Sequence, residues 1–386
     1  MSHVPLARSR IVTAIDETFV HGAVELVQGP RGLHPQRLPG WARGQIHDPD
    51  TAHVVSCPSG VRVSLRTQST SVHLVVRPTD LRAREDPLRS VPMYDIHLDG
   101  ALLTQRVASP AEHSSAASGE STEPWRVSVD DLPGTDQHLE IWLPYQEPTE
   151  LIEIHSDAPV RPAPPSGPRW VHHGSSISHG FNSIGASHAW PAVAARSRGL
   201  DLLNLGLAGH AMLDQFTARS IRDLPADIIS LKLGINVVNA DTFRLRSFSP
   251  AVHGFLDTVR DGHPETPLLL ITPIWCGIHE HTPGPALSTD HTAEDGTVRR
   301  IFSATGDPAD VAAGRLTLSV VRAELERIVA QRQSTDPALR LIDGLSLYGA
   351  ADAAALPLPD DLHPDTATHQ LIGERFATQA FPGGTT

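Results

Sequence analysis

The chain has 386 residues, 31 of them basic and 44 acidic, for a formal net charge of −13 at pH 7. That balance speaks against a nucleic-acid or anionic-membrane partner, since both need concentrated positive charge. With 40% hydrophobic and 19% charged residues the composition also speaks against extended disorder, and the length suits two domains.

The first stretch, residues 1–157, reads as β. Residues 60–66 alternate apolar with polar or charged side chains, the period of a half-buried strand. Residues 72–76, 94–98, 125–129, 139–143 and 151–154 continue the pattern, and the second of these runs ends in Asp99-Gly100, a hairpin signal. Several short strands without helical patterns between them predict an all-β sandwich or jelly roll. Residues 112–122 are rich in Ser, Ala and Gly and are expected to be mobile. Trp41, Trp125 and Trp142 suit either a sugar-stacking platform or a sandwich core, and core is the default expectation.

Residues 158–168, APVRPAPPSGP, form a proline-rich linker, expected to be extended and semi-rigid. Beyond it, residues 169–386 alternate strands with helices. The predicted strands are 170–173, 202–205, 227–233, 268–272 and 339–342; the helices are 190–198, 212–222, 250–260, 311–331 and 366–380. This order predicts a three-layer α/β/α domain with a five-stranded parallel sheet, whose function sits at the carboxyl ends of the strands. Residues 275–310 offer no convincing element and are expected to be a functional loop or lid.

Four blocks fall just after predicted strands or before the last helix: Gly174-Ser175-Ser176, the run Asn204 to Gly209, Leu233 to Asn236, and Asp360-Asp361-Leu362-His363. They bring a serine, a glycine N–H, an asparagine amide, and an imidazole with a carboxylate three residues before it. Acyl transfer needs these parts. A serine hydroxyl requires a base to take its proton, the imidazole requires a carboxylate to fix its tautomer, and the tetrahedral intermediate requires donors to its oxyanion.

In this order the blocks resemble the SGNH or GDSL hydrolase superfamily of esterases, lipases and acyltransferases. The resemblance implies a flavodoxin-like fold for the second domain, with Ser176 as nucleophile and Asp360 and His363 completing a triad. It also implies oxyanion donors from the N–H of Ser176, the N–H of Gly209 and the side chain of Asn236. Ser175 stands where the family usually has aspartate, and Asp361 is the competing acid beside Asp360. Joined to an amino-terminal sandwich, the domain resembles bacterial carbohydrate esterases and the two-domain acyltransferases of aromatic polyketide tailoring.

The expected activity is transfer of an acyl group from an ester or thioester to water or to a small-molecule hydroxyl, with no cofactor and no metal. Acyl-CoA or an acyl-carrier thioester would enter as substrate. Two alternatives remain open: a carbohydrate-binding sandwich fused to a degenerate hydrolase, and a zinc hydrolase using His279, His281, Asp290 and His291. Those four have no HExxH helix or cysteine pair to support them and are expected to be ordinary loop residues. His172, His173, His179 and His210 lie near the site without an assigned role. Cys57 and Cys276 are expected to be free, which with the absence of a signal-peptide core or membrane-length apolar run predicts a cytoplasmic protein without a membrane partner.

Overall fold

The computed structural model describes residues 10–81, 91–110, 124–292, 296 and 298–381; the segment 112–122, expected to be mobile, lies outside them. The amino-terminal part is a β-sandwich. One antiparallel sheet runs Glu25–Gln28, Leu33–Gln36, Thr149–Ser156, Val72–Pro78, Trp125–Val129 and Ser109–Pro110, with Ile11–Ala14 also on Thr149–Ser156. The other runs Val160–Pro162, Arg62–Thr67, Gln137–Trp142, Tyr94–Leu98 and Ala101–Arg106, with Val20–His21 also on Arg62–Thr67. Alternation along Trp125–Val129 buries the first, third and fifth residues, which join Val63, Leu65, Leu74, Leu139 and Ile154 in the core between the sheets. Asp99 and Gly100 both take positive φ, 48° and 84°, as a two-residue hairpin turn requires.

The sandwich departs from the sequence reading in three places. Val160–Pro162 is not linker but an edge strand on Arg62–Thr67; proline is tolerated there because an edge strand has no second neighbour to donate to. Two helices interrupt the β pattern, Gly40–Arg43 and α1 (Pro49–Ser56). Asp48 caps α1 by accepting from Thr51 N, and Pro49 stands in its first turn, where a missing N–H costs nothing. Trp125 and Trp142 are core residues, but Trp41 is 39% exposed and lies against the Arg219 guanidinium at 4.4 Å.

The second domain is the expected three-layer α/β/α unit. Its parallel strands are β1 (Arg169–Gly174), β2 (Asp201–Gly206), β3 (Ile228–Lys232), β4 (Leu268–Ile271) and β5 (Leu339–Ile342), in the order β2-β1-β3-β4-β5. The helices that matter below are α2 (Ser176–His179), α3 (Trp190–Arg198), α4 (Gln215–Asp223), α5 (Leu245–Gly262), α6 (Leu318–Arg332) and α7 (Thr366–Ala380). Trp170 on one face of β1 stacks on Phe376 of α7 and lies beside Trp190 of α3, while His173 on the other face stacks on Phe255 of α5. Helices therefore cover both faces.

α6 starts at Leu318, later than its apolar pattern suggested, because Pro308–Ala313 forms a 3₁₀ turn closed by Gly314 in the left-handed region. The stretch 275–310 is not structureless either. Ala286–Thr292 and Val298–Ala304 pair as an antiparallel hairpin. Its first arm is exposed at every position but Ala286, so both faces are polar and the alternation that marks a half-buried strand is missing.

The two domains share packing. The hydrophobic cluster of the α/β domain includes Leu38, Val55, Trp142 and Tyr145 of the sandwich. Among the described residues no helix is long and apolar enough to cross a membrane.

Candidate active site

The sheet order reverses at β1, whose neighbours are β2 and β3, and the loops leaving these three strands open a crevice at their carboxyl ends. β1 runs through Gly174 into Ser175, the extended residue before α2, and Ser176 is the first residue of that helix. The turn is tight: a Cβ on Gly174 would lie 2.3 Å from Ser178 Oγ. Ser176, only 6% exposed, therefore has its hydroxyl at the crevice and an N–H with no partner within the helix.

The segment before α7 brings the other groups. His363 Nε2 lies 3.0 Å from Ser176 Oγ, and His363 Nδ1 lies 2.8 Å from Asp360 Oδ2. Asp360 Oδ1 accepts from the backbone N–H of Leu362 at 3.0 Å and of His363 at 2.6 Å, and Oδ2 also accepts from Asn182 Nδ2 at 3.2 Å. Burial pushes this carboxyl upward, but the hydrogen bonds and charge of His363, with the two backbone donors, outweigh it and hold Asp360 below the ordinary carboxylate range. Asp361, the competing acid, is exposed at φ 66°, and its carbonyl accepts from the Cys276 thiol. Phe181 and Phe302 pack on the His363 ring, with centroids at 4.4 and 5.4 Å.

Gly209 and Asn236 reach the same crevice. Gly209 takes φ 74°, with nothing within 4 Å of where a Cβ would be, so it is the left-handed conformation and not crowding that asks for glycine. Asn236 follows Gly234, itself at φ 121°. Asn236 Oδ1 accepts from Ala211 N at 3.2 Å, which fixes the amide, and its buried Nδ2 has no hydrogen-bond partner in the structure. Ser176, His363, Gly209 and Asn236 line one cleft of about 440 Å³. Asp360 stands behind His363.

The remaining histidines divide by depth. Burial holds His172 well below its ordinary value, His173 at about 4 and His179 at about 3, so these rings are neutral near pH 7. His172 bonds Ser230 Oγ at 2.7 Å and Ser178 Oγ at 2.8 Å, bracing α2 from below. His179 and His210 instead line the cleft. The four loop residues of the zinc reading do not converge: Asp290 pairs with Arg300 at 2.8 Å on the hairpin, the buried His279 ring lies 3.1 Å from Thr282 O, and His291 is exposed. The described residues hold no group of three or more His, Cys, Asp or Glu suited to a metal ion.

Part of the cleft comes from the sandwich. Asp50, His53, Val54, Cys57, Tyr145 and Gln146 line it, opposite Phe302 of the hairpin. Arg37, fully buried, ties this wall to the turn that carries Ser176. It donates to Cys57 O at 2.6 Å and Val54 O at 2.7 Å on the sandwich side, and to Gly206 O at 2.7 Å and Asn204 O at 3.0 Å at the end of β2. Ser59 Oγ donates to His179 O at 2.6 Å, and Tyr145 O lies 2.8 Å from His179 Nε2. The sequence marks α1 through its Asp48-Pro49 start, a helix signal inside a stretch whose strands predict β. Nothing in local pattern marks Arg37, whose partners are distant carbonyls.

Residues 169–299 match the model of the GDSL-like lipase/acylhydrolase family, so the chain carries a GDSL-like domain, as its motif blocks implied. The salicylyl-acyltransferase SsfX3 from a tetracycline biosynthetic pathway is similar over both domains: 25% identity, 98% of this chain and 100% of that one covered, TM-score 0.78. Family two carbohydrate esterases share the fold. The one from Clostridium thermocellum has 13% identity over 83% of this chain and 91% of its own, TM-score 0.56; the one from Cellvibrio japonicus has 12% identity over 96% and 97%, TM-score 0.54. No curated protein matches the chain in sequence.

Proposed function

We propose that this protein is a serine-dependent acyl-ester enzyme working through an acyl-Ser176 intermediate. The observation that carries the reading is the unbroken line from Asp360 through His363 to Ser176, with contacts of 2.8 and 3.0 Å. Ser176 Oγ attacks the acyl carbon of an ester or thioester while its proton passes to His363 Nε2. Asp360 holds the Nδ1 proton and stabilises the imidazolium. The oxyanion is received by the N–H groups of Ser176 and Gly209 and by Asn236 Nδ2. The tetrahedral intermediate collapses as His363 returns the proton to the leaving alcohol or thiol. Water or an acceptor hydroxyl then attacks the acyl-enzyme, with His363 as base again.

These steps use no cofactor and no metal; a thioester donor, whether acyl-CoA or an acyl-carrier protein, is a substrate. Similarity to an acyltransferase along the whole chain supports a small-molecule hydroxyl as acceptor, with water as its competitor. A fluorophosphonate probe should label the wild type and fail to label Ser176→Ala. An activated ester supplied with an alcohol panel should yield new esters beside free acid. Free acid as the sole product sinks the transfer reading, and an unlabelled, folded wild type sinks the serine reading.

A further inference from the structure

The cleft continues past the nucleophile toward α1, and two of its polar groups have no part in the steps above. One is His210, next to Gly209; the other is Asn239, three residues after Asn236. The sandwich sets the proton on His210. Hydrogen bonds from the side chain and backbone of Thr51 hold the Asp48 carboxyl below its ordinary range, so it is an acceptor. The Thr51 hydroxyl donates to Asp48 Oδ2 at 2.5 Å and so has used its one proton. At 2.8 Å from His210 Nδ1 that hydroxyl can only accept, and the ring proton therefore sits on Nδ1. In the neutral ring Nε2 is then a lone pair, in a residue on the cleft wall.

Asn239 Oδ1 is a second acceptor, buried and without a hydrogen-bond partner in the structure. An unmet acceptor is costly until a donor arrives. Among the described residues lining the cleft there is no lysine or arginine to neutralise a phosphate or carboxylate, while Phe181, Phe302 and Tyr145 supply apolar surface.

We infer that His210 and Asn239 form the subsite for the alcohol half of the ester, and that this subsite takes a neutral compound bearing at least one hydroxyl besides the esterified one. The inference rests on the serine-ester reading of the same site. It holds for hydrolysis and transfer alike, because the leaving alcohol of one direction stands where the acceptor of the other would stand.

The test is a ratio: kcat/KM for the glyceryl ester of an acid divided by that for its propyl ester. It is measured in the wild type and in His210→Ala, His210→Gln and Thr51→Val. The wild type should prefer the glyceryl ester. His210→Ala should lower the ratio about five- to tenfold, the worth of one hydrogen bond. His210→Gln, which keeps an acceptor on a side chain of similar reach, should recover much of it. Thr51→Val, which removes the group that holds the proton on Nδ1, should lower it partway. An equal ratio in all four proteins overturns the subsite. Failure of the wild type to turn over either ester counts instead against the serine-ester reading, and the subsite falls with it.

Discussion

The two domains serve one cleft by different means. In the α/β domain the proposed nucleophile and oxyanion donors each follow a strand of a wholly parallel sheet, so topology delivers them: Ser176 after β1, Gly209 after β2 and Asn236 after β3. The sandwich brings its share through exceptions to its own pattern, a short helix and one buried arginine. Chemistry is thus placed by the sheet, and the shape around it by contacts between domains. A catalytic centre made this way can keep its reacting groups while the wall from the sandwich changes what enters.

That contrast can be broken from either side. Asp360→Asn should bring the largest loss, about 10³–10⁴ in kcat with fold and melting temperature nearly intact, because the ring loses the partner that fixes its tautomer. A smaller loss would mean that Asn182 and the backbone donors, and not the carboxylate, orient His363. Arg37→Leu should cost at least about 2–3 kcal/mol in thermal unfolding, since it leaves four buried carbonyls without their charged donor. It should also lower kcat, and a variant that melts earlier with unchanged turnover would make the sandwich a mere support.

Acid should act through the buried histidines of the α/β domain, of which His179 alone of the three below bonds the sandwich. Burial holds His173, His179 and His369 at about 4, 3 and 4, below their ordinary 6.5, so the unfolded chain takes up protons that the folded one refuses. The stability they contribute is complete above pH 6.5 and is lost as the pH falls through the window down to about 4, and for His179 down to about 3. By about pH 5 each ring should cost on the order of 1–2 kcal/mol, read as a falling melting temperature. A melting temperature that holds between pH 7 and 5 would contradict it. Asp361→Asn should do least, changing kcat by no more than about twofold, because its side chain is exposed and asparagine tolerates φ 66°. A large loss there would mean that the wrong aspartate has been paired with His363.

Legibility in the sequence followed the same division. The strands β1 to β5 are apolar runs in a strand–helix alternation, so the sheet and its edge can be read directly, and with them the neighbourhood of Ser176, Asn236 and His363. Choosing Ser176 over Ser175 took the family pattern; in the structure Ser175 Oγ is buried without a partner, while Ser176 Oγ faces His363. The hairpin around Phe302 escaped because its first arm is exposed almost throughout and its second is half-buried without alternation. The edge strand Val160–Pro162 was hidden by the prolines that an edge can carry. The bonds from Arg37 to the end of β2 and the Thr51–His210 contact join groups more than a hundred residues apart, and no local period encodes such a contact.

The most direct test of the account is peptide-mapped mass spectrometry of the protein after brief exposure to an activated ester that deacylates slowly. One acyl adduct is expected, on Ser176, absent from Ser176→Ala under the same conditions. An adduct on Ser175 or Cys57, or a folded wild type that turns over the ester with no adduct at all, would contradict it.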